Sequence, residues 1–549
     1  MSTYGRGNGN SRGAGYGRQR GRGQQQAVNA SSSSPPLIFV SGFHSGAVST
    51  KGSITITQDN SSEFRKLTHQ SVREAEANIS MFDRDTRDPP AVQLLPVAVD
   101  EIPHFPPEGA THAVVACDPL WTRLRDDCFE CFEAEDFITL RLHSIDVASR
   151  IDQGSDADNW AKSFIICHYP YDSRGNRRLF AKPVEAAVTF ELTTLRPAIT
   201  LECVFPLIQG RPEAEDRSRR RLFQSAVRLT HVIDSAIMTE DFLEANVVGA
   251  EGDAAGRTAC RLLWSLKHRL HPTRSITPLN SCKELRPSTN YDKVAKVDMV
   301  EWEQQQNLDA AGLFIRMSIG FYNQCVTEFL RDLPQAVGWA KFGVGKVSTS
   351  FHSLVVDLIH FYDPMQSKSA MGKLDIYELA ELHYVATGRS LQDTMEGLGA
   401  PREGSCVPLV ENPRAVVAAN KPGRDYQSLY AQRCILFKLD PKRYKHFECK
   451  DASIICGLVS GRYNSHHNMK ARIEEVLLNF LQGVCKDKTF ALTATVRSPS
   501  TIFVHQVNRV IENCELPEEM VVGCYMNVGI TNGQVKLIPN PKVGDAAAK

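Results

Sequence analysis

The chain has 549 residues, 42% of them hydrophobic and 23% charged, an ordinary globular usage that excludes a wholly disordered, collagenous or disulfide-scaffold protein. At roughly 150 residues per domain it holds about two to four domains. Its formal net charge is zero, from 63 basic and 63 acidic residues. That zero hides an asymmetry: residues 1–58 contain no Asp or Glu and carry Arg6, Arg12, Arg18, Arg20, Arg22 and Lys51, which leaves the rest of the chain acidic by six charges.

Residues 1–23 hold eight glycines, five arginines and two tyrosines, and Gln24–Gln26 and Ser31–Ser34 extend the low complexity. Glycine entropy and the lack of apolar periodicity predict a disordered arm over 1–36. Arginine supplies a fork of donors that matches phosphate oxygens, and Tyr4 and Tyr16 add faces on which bases stack. The composition resembles the arginine–glycine boxes of RNA-binding proteins and the basic arms of viral coat proteins. The arginines are followed by no apolar run, so no secretory signal is expected. Nor does any run approach the roughly 20 apolar residues of a membrane span.

Order is expected from Leu37, where LIFV opens a strand. Residues 61–82 carry Phe64, Leu67, Val72 and Ala75 at helical spacing, and a proline-rich connector runs from Pro89 to Pro107. Period-2 alternation predicts strands at Ile138–His143, Val188–Thr193 and Ile199–Cys203. The turn residues between His168 and Leu179 predict a hairpin. Residues 217–245, 256–271, 298–332, 347–361 and 374–386 favour helix, with Ala310–Val326 apolar on nearly every side. Residues 387–425, rich in glycine and proline, read as a linker or long loop. In the C-terminal part, Cys434–Phe437 begins a strand, and Ile473, Leu477, Phe480 and Val484 recur at helical spacing. Apolar runs follow at 490–496, 501–510 and 520–528, with a hairpin turn at Asn532–Gly533. The expected fold is mixed α/β (α+β) and multidomain. An arm (1–36) precedes a strand-rich domain (37–210), a helical domain (211–386), the linker (387–425), an α/β domain (426–543) and a tail (544–549).

Fifteen cysteines at irregular spacing point to a reducing compartment and free thiols. The expected localisation is therefore the cytoplasm, or a virion. A second basic candidate is the helix around Arg257 and Arg261, which share one face. Catalytic and metal motifs fail on inspection. Gly343-x-Gly345-Lys346 lacks the first glycine and the hydroxyl residue of a phosphate loop. His446, Cys449, Cys456 and His466 or His467 have gaps that fit no zinc pattern, and the acidic residues at 126–136 read as a solvated face. The resulting expectation is a non-enzymatic RNA-binding structural protein of nucleoprotein or coat type, needing no cofactor or metal. Its partner would be single-stranded RNA, bound without sequence specificity through Arg6, Arg12, Arg18, Arg20, Arg22, Tyr4, Tyr16, Arg257 and Arg261. Self-association follows from that role. The alternatives are a cellular ribonucleoprotein or RNA-silencing cofactor, and a nucleic-acid-modifying enzyme with a dispersed site, since spatial triads leave no local trace.

Overall fold

The computed structural model describes residues 37–65, 88–206, 224–238, 255–266, 284–305, 310–339 and 406–538, apart from single residues and short interior segments. The chain divides into two units, Met1–Pro36 and Leu37–Lys549, and all described residues belong to the second. The arm therefore lies outside the described residues, as do the segments 347–361 and 374–386.

Three short strands open the body: β1 (Ile38–Phe43), β2 (Val48–Ser49) and β3 (Lys51–Thr55). Then come β4 (His104–Phe105), β5 (Val114–Cys117), β6 (Asp127–Ala134) and β7 (Phe137–Ile145), followed by helices α1 (Asp156–Phe164) and α2 (Lys182–Val188). Next are β8 (Leu195–Pro206), β9 (Gln224–Ile233), β10 (Ala236–Met238), α3 (Ala255–Ser265), β11 (Glu284–Asp292), β12 (Val297–Gln305) and α4 (Ala310–Leu330). The C-terminal half brings β13 (Val337–Trp339), β14 (Cys406–Pro408), α5 (Tyr426–Leu439), α6 (Ala452–Val484) and β15 (Thr489–Ser498). Four strands close the chain: β16 (Thr501–Val504), β17 (Arg509–Ile511), β18 (Tyr525–Thr531) and β19 (Gln534–Leu537).

Two seven-stranded sheets organise this body. The first runs β10-β5-β6-β7-β8-β9-β4, and the second β1-β19-β18-β15-β16-β17 with β2 beside β15. The N-terminal strands β1 and β2 thus complete a sheet made mostly of C-terminal strands. Each sheet has its own apolar core. Leu140, Ile145, Ile199 and Leu201 lie at the centre of the first, and Phe490, Leu492, Val528 and Phe480 at the centre of the second.

The mixed α/β class is what the structure shows, and the strands at 138–143 and 199–203 are paired with each other in β7 and β8. Of their polar positions, Thr139, His143 and Thr200 are buried and Arg141 and Glu202 half-buried, and His143, Thr200, Arg141 and Glu202 bond to neighbouring side chains. Arg141 donates to Glu130 at 2.7 Å and to Glu202 at 2.6 Å, and His143 pairs with Thr200 at 2.8 Å. A helix covers 310–326 in α4, with Phe321, Tyr322, Cys325 and Val326 buried, and the helix through Ile473–Val484 is present. Asn532 and Gly533 both take positive φ, 48° and 79°, in the β18–β19 turn.

The hairpin expected between His168 and Leu179 falls on 168–177, which lie outside the described residues. Three expectations are corrected. The strand expected at Val188–Thr193 does not form: Val188 ends α2, buried one turn after Val184, Pro183 sits in that helix's first turn, where its missing N–H costs nothing, and Thr193 takes a positive φ of 62°. Residues 224–233 and 297–305 are strands, because pairing overrides local helical preference: β9 joins β8 over ten residue pairs, and β12 sits between β11 and β3 with Val300 and Trp302 buried in period 2. Cys434–Phe437 belongs to α5, whose N-terminus is capped by Asp425 accepting the Gln427 N–H at 2.9 Å.

Candidate functional site: a carboxylate cluster under an arginine

Antiparallel pairing of β5 with β6 sets Val115 opposite Phe129. Continuing that register brings Cys117 opposite Asp127, so the chain leaving β5 at Asp118 passes the chain entering β6 at Asp126 and Asp127. Three carboxylates thereby meet at one end of the first sheet. Burial pushes Asp118 up to about 7, with Asp127 adding to the rise and Arg424 opposing it. Asp127 is pushed up to about 6 by burial and then by Asp126, while Arg424, Lys421 and Asn420 pull it back. Asp126 is raised by burial and held down by Arg424. Asp118 Oδ2 is buried without a hydrogen-bond partner.

The positive side comes from the loop before α5, at residues 420–425. Arg424 Nε donates to Asp126 Oδ2 at 2.5 Å, and the Gly423 N–H donates to Asp126 Oδ1 at 3.2 Å. Gly423 is required by close approach: a Cβ there would lie 2.7 Å from Leu124 Cδ2 and 3.0 Å from Asp126 Oδ1. The loop is pinned from both ends. On α4, Asn323 accepts the Ala419 N–H at 3.0 Å, and Thr327 accepts the Val417 N–H at 2.8 Å. Past the loop, the α5 residue Gln432 accepts from the Val147 N–H at 3.2 Å and donates to the Ile145 carbonyl at 2.7 Å. Arg433 makes a buried ion pair with Asp158 at 2.7 Å. Helix α5 therefore fixes the loop against the end of β7. A cavity of about 50 Å³ opens beside the cluster, lined in part by Asp127, Ser144, Leu263, Tyr322 and Asn420.

The acidic doublet Asp126–Asp127 is not the solvated face expected at 126–136: Asp126, Cys128, Phe129 and Glu130 are buried, and Glu130 is held below the ordinary carboxylate range by His112, His143 and Arg141 despite its burial. Residues 415–425, within the stretch expected as a linker or long loop, form no helix or named strand and dock on α4 and Asp126. The sequence signal was present in the apolar run Ala113–Cys117 ending on Asp118, and in the polar cluster Asn420–Asp425 before a helix, but the two lie about 300 residues apart. Of the residues expected to meet RNA, Arg6, Arg12, Arg18, Arg20, Arg22, Tyr4 and Tyr16 lie outside the described residues. Arg257 and Arg261 are half-buried on α3, which packs on β5 and β6 through Ala259, Cys260 and Leu263. Among the described residues no set of three or more His, Cys, Asp and Glu is placed to hold a metal ion. Two carboxylates still suit Mg²⁺, which is commonly held by one or two carboxylates together with substrate phosphates. The orphaned Asp118 oxygen and the like-charge crowding of Asp118 and Asp127 are what a cation there would relieve. The twelve described cysteines are free thiols.

No known protein family and no curated protein matches the sequence, but solved structures match the fold. RNase R of Mycoplasma genitalium in complex with ribose-methylated single-stranded RNA shares 10% identity, with 91% of this chain and 85% of that chain covered and a TM-score of 0.58. Yeast Ssd1, a pseudonuclease, shares 13% identity over 82% of this chain and 56% of its own, with a TM-score of 0.53. An active-site mutant of the Dss1 exoribonuclease from Candida glabrata shares 12% identity over 86% and 58%, with a TM-score of 0.52. At this identity the likeness is one of fold. It overturns the coat or nucleoprotein expectation and the non-enzymatic expectation that went with it, because the body is built like RNase R and Dss1. The viral and capsid readings lose their basis, and self-association, inferred from the coat role alone, is not shown.

Proposed function

We propose that this protein binds single-stranded RNA and cleaves its phosphodiester backbone at the cluster of Asp118, Asp126 and Asp127. The observation that carries the reading is the meeting of these carboxylates with Arg424 and Lys421 within a ribonuclease-type fold. It corresponds to the dispersed-site alternative, in which the chemistry is assembled from distant segments.

Each group has a part that follows from its chemistry. Arg424 and Lys421 place two cations beside the carboxylates. They attract and orient phosphate, the guanidinium by paired N–H donors and the ammonium as a point charge. Asp118 and Asp127 would hold a divalent cation together with a phosphate oxygen. When bound, such a cation lowers the pKa of a water and offsets charge developing on the phosphoryl oxygens. Asp126 fixes the Gly423–Arg424 turn, so its role is to set where the guanidinium stands. Tyr322, whose hydroxyl is pushed well above its ordinary value by burial and by Asp127, stays protonated and uncharged on the cavity wall. Upstream, the arginines of the arm add sequence-independent phosphate contacts that raise the local concentration of RNA. The free thiols support a reducing setting, the cytoplasm.

The test is incubation of the full chain with end-labelled single-stranded RNA in Mg²⁺ and, separately, in EDTA. Shortened products in Mg²⁺ alone, with RNA binding retained in EDTA, are expected. Bound but uncut RNA under both conditions would refute the cleavage reading.

A further inference from the structure

We propose that the cleft beyond the C-terminus of α5 is a guanine-nucleotide site, separate from the carboxylate cluster: the buried Asp146 carboxylate reads the N–H edge of the base, and Arg443 at the mouth takes the phosphate. The proposal does not depend on the cleavage reading. A free nucleotide and a guanosine within an RNA strand share this chemistry.

The connector before β4 supplies one wall. It is pinned by the Leu95 N–H on the Arg150 carbonyl at 3.0 Å and by the His231 N–H on the Pro103 carbonyl at 2.8 Å. Leu95 and Ile102 from this connector, with Leu229 of β9, make that wall apolar. A second wall comes from the turn after α5. Asp440 Oδ1 accepts the N–H groups of Lys442 and Arg443 at 3.2 and 3.0 Å. A 3₁₀ turn follows at Lys445–Phe447, closed by the Phe447 N–H on the Tyr444 carbonyl at 2.9 Å. Residues three apart eclipse in such a turn, so Tyr444 and Phe447 set their rings nearly parallel, 9° apart with centroids at 5.7 Å. The walls leave a cavity of about 280 Å³, at the lower end of the roughly 300–1,000 Å³ of small-molecule pockets. An aromatic wall beside that space suits a planar base.

Charge is graded along the cleft. Asp146 lines it and is only 2% exposed. Its Oδ1 accepts the Ser149 N–H at 3.0 Å and its Oδ2 accepts the Ser149 hydroxyl. An ionised carboxylate has about four acceptor sites, so one remains on each oxygen. Ser149 supplies hydrogen bonds but no countercharge, and a buried carboxylate in that position favours further donors. Guanine presents two parallel donors, N1–H and the N2 amino group, one for each free site. Adenine places an acceptor at N1 and would set a lone pair against Asp146. An organic cation would also satisfy the carboxylate, but Arg443 lines the cleft and is exposed, with Lys442 and Lys445 exposed in the same turn. Such a mouth repels a cation and attracts a phosphate. The Arg443 guanidinium lies 5.3 Å over the Tyr444 ring, which sets it beside the aromatic wall. A ligand with a donor edge at one end and an anion at the other matches both ends of the cleft, and a guanine nucleotide has that polarity.

The test is isothermal titration calorimetry of the full chain in EDTA with GMP, IMP, AMP and guanosine. GMP should bind most tightly, IMP about tenfold more weakly for want of the N2 donor, and AMP more weakly still, the scale of a hydrogen bond to a charged group. D146N should erase the preference for GMP over IMP. R443A should weaken GMP about tenfold and leave guanosine unchanged, which sets the phosphate at the mouth. A GMP affinity equal to that of AMP, or unmoved by both substitutions, overturns the proposal. If D146N fails to fold, R443A on the exposed turn and the ligand series on the unaltered chain decide alone. Two 2′-O-methyl hexanucleotides, one containing a guanosine and one an adenosine in its place, separate the sources. A guanosine preference that R443A lowers, with GMP itself bound weakly, assigns the site to RNA, and tight GMP with no preference between the hexanucleotides assigns it to the free nucleotide. No preference for guanine in either form overturns the proposal.

Discussion

Replacing Gly423 by alanine isolates the contact on which the site depends. The new Cβ would meet Leu124 Cδ2 at 2.7 Å and Asp126 Oδ1 at 3.0 Å, and both neighbours are buried, Leu124 at 6% exposure and Asp126 at 0%. Neither has open space to move into. If Leu124 yields, the cost is that of overpacking, about 1–3 kcal/mol. If the loop backs away, the Gly423 N–H loses its bond to a carboxylate, worth about 1.5–3 kcal/mol for a charged acceptor. Against this, alanine lowers the entropy of the unfolded chain and returns about 0.4–1 kcal/mol. The net expectation for Gly423→Ala is a loss of about 2 kcal/mol in urea unfolding. In a Leu124→Ala background the clash with Leu124 is removed and only the 3.0 Å contact with Asp126 Oδ1 remains, so the same substitution should cost about 1–2 kcal/mol less, a coupling within the range found for contacting residues. A neutral Gly423→Ala, or an equal cost in both backgrounds, would refute the close-approach argument.

Two further outcomes follow from the same geometry. Burial holds His143 at about 4, below its ordinary 6.5. The unfolded chain therefore binds a proton first as pH falls, and His143 removes stability between pH 6.5 and 4, roughly 3 kcal/mol in full. His143→Gln should flatten the fall in stability across that window, and an unchanged slope in urea unfolding against pH would contradict the assignment. Deleting residues 2–23 should remove a log–log salt slope of about −3.5, five phosphate contacts at about −0.7 each, from binding to unrelated single-stranded RNAs. Fluorescence anisotropy over a salt series measures it, and an unchanged slope would show that the arm makes no phosphate contacts.

Much of the architecture could be read along the chain because it depends on local pattern. Ile138, Leu140 and Leu142 alternate as β7 requires, Ile473 to Val484 keep helical spacing, and Asn532–Gly533 supply the two positive φ angles of a tight hairpin. Pattern failed where neighbours outside the window decide. The apolar residues of 224–233 and 297–305 fit a helix in isolation but become strands because β8, β3 and β11 supply their hydrogen-bond partners. Val188, Phe190 and Leu192 alternate, yet Val188 closes α2 and no strand forms over 189–193, where Thr193 takes a positive φ of 62°. The site was hidden for a stronger reason. Asp126 and Arg424 are 298 positions apart, and each sits in a segment whose composition suggested something bland, a charged face in one case and a glycine- and proline-rich connector in the other. Charge pairing across that distance exists only once the sheet and α5 have been assembled.

The central claim is that Asp118 and Asp127 act on RNA that the rest of the protein binds. The most direct measurement compares the unaltered chain with Asp118→Asn and Asp127→Asn, recording cleavage of labelled single-stranded RNA in Mg²⁺ and RNA affinity by anisotropy in EDTA. The account predicts affinity within about threefold and cleavage reduced by about 10²-fold or more, the scale on which loss of a positioned catalytic group is felt. Cleavage that survives both substitutions would place the chemistry elsewhere and contradict the account.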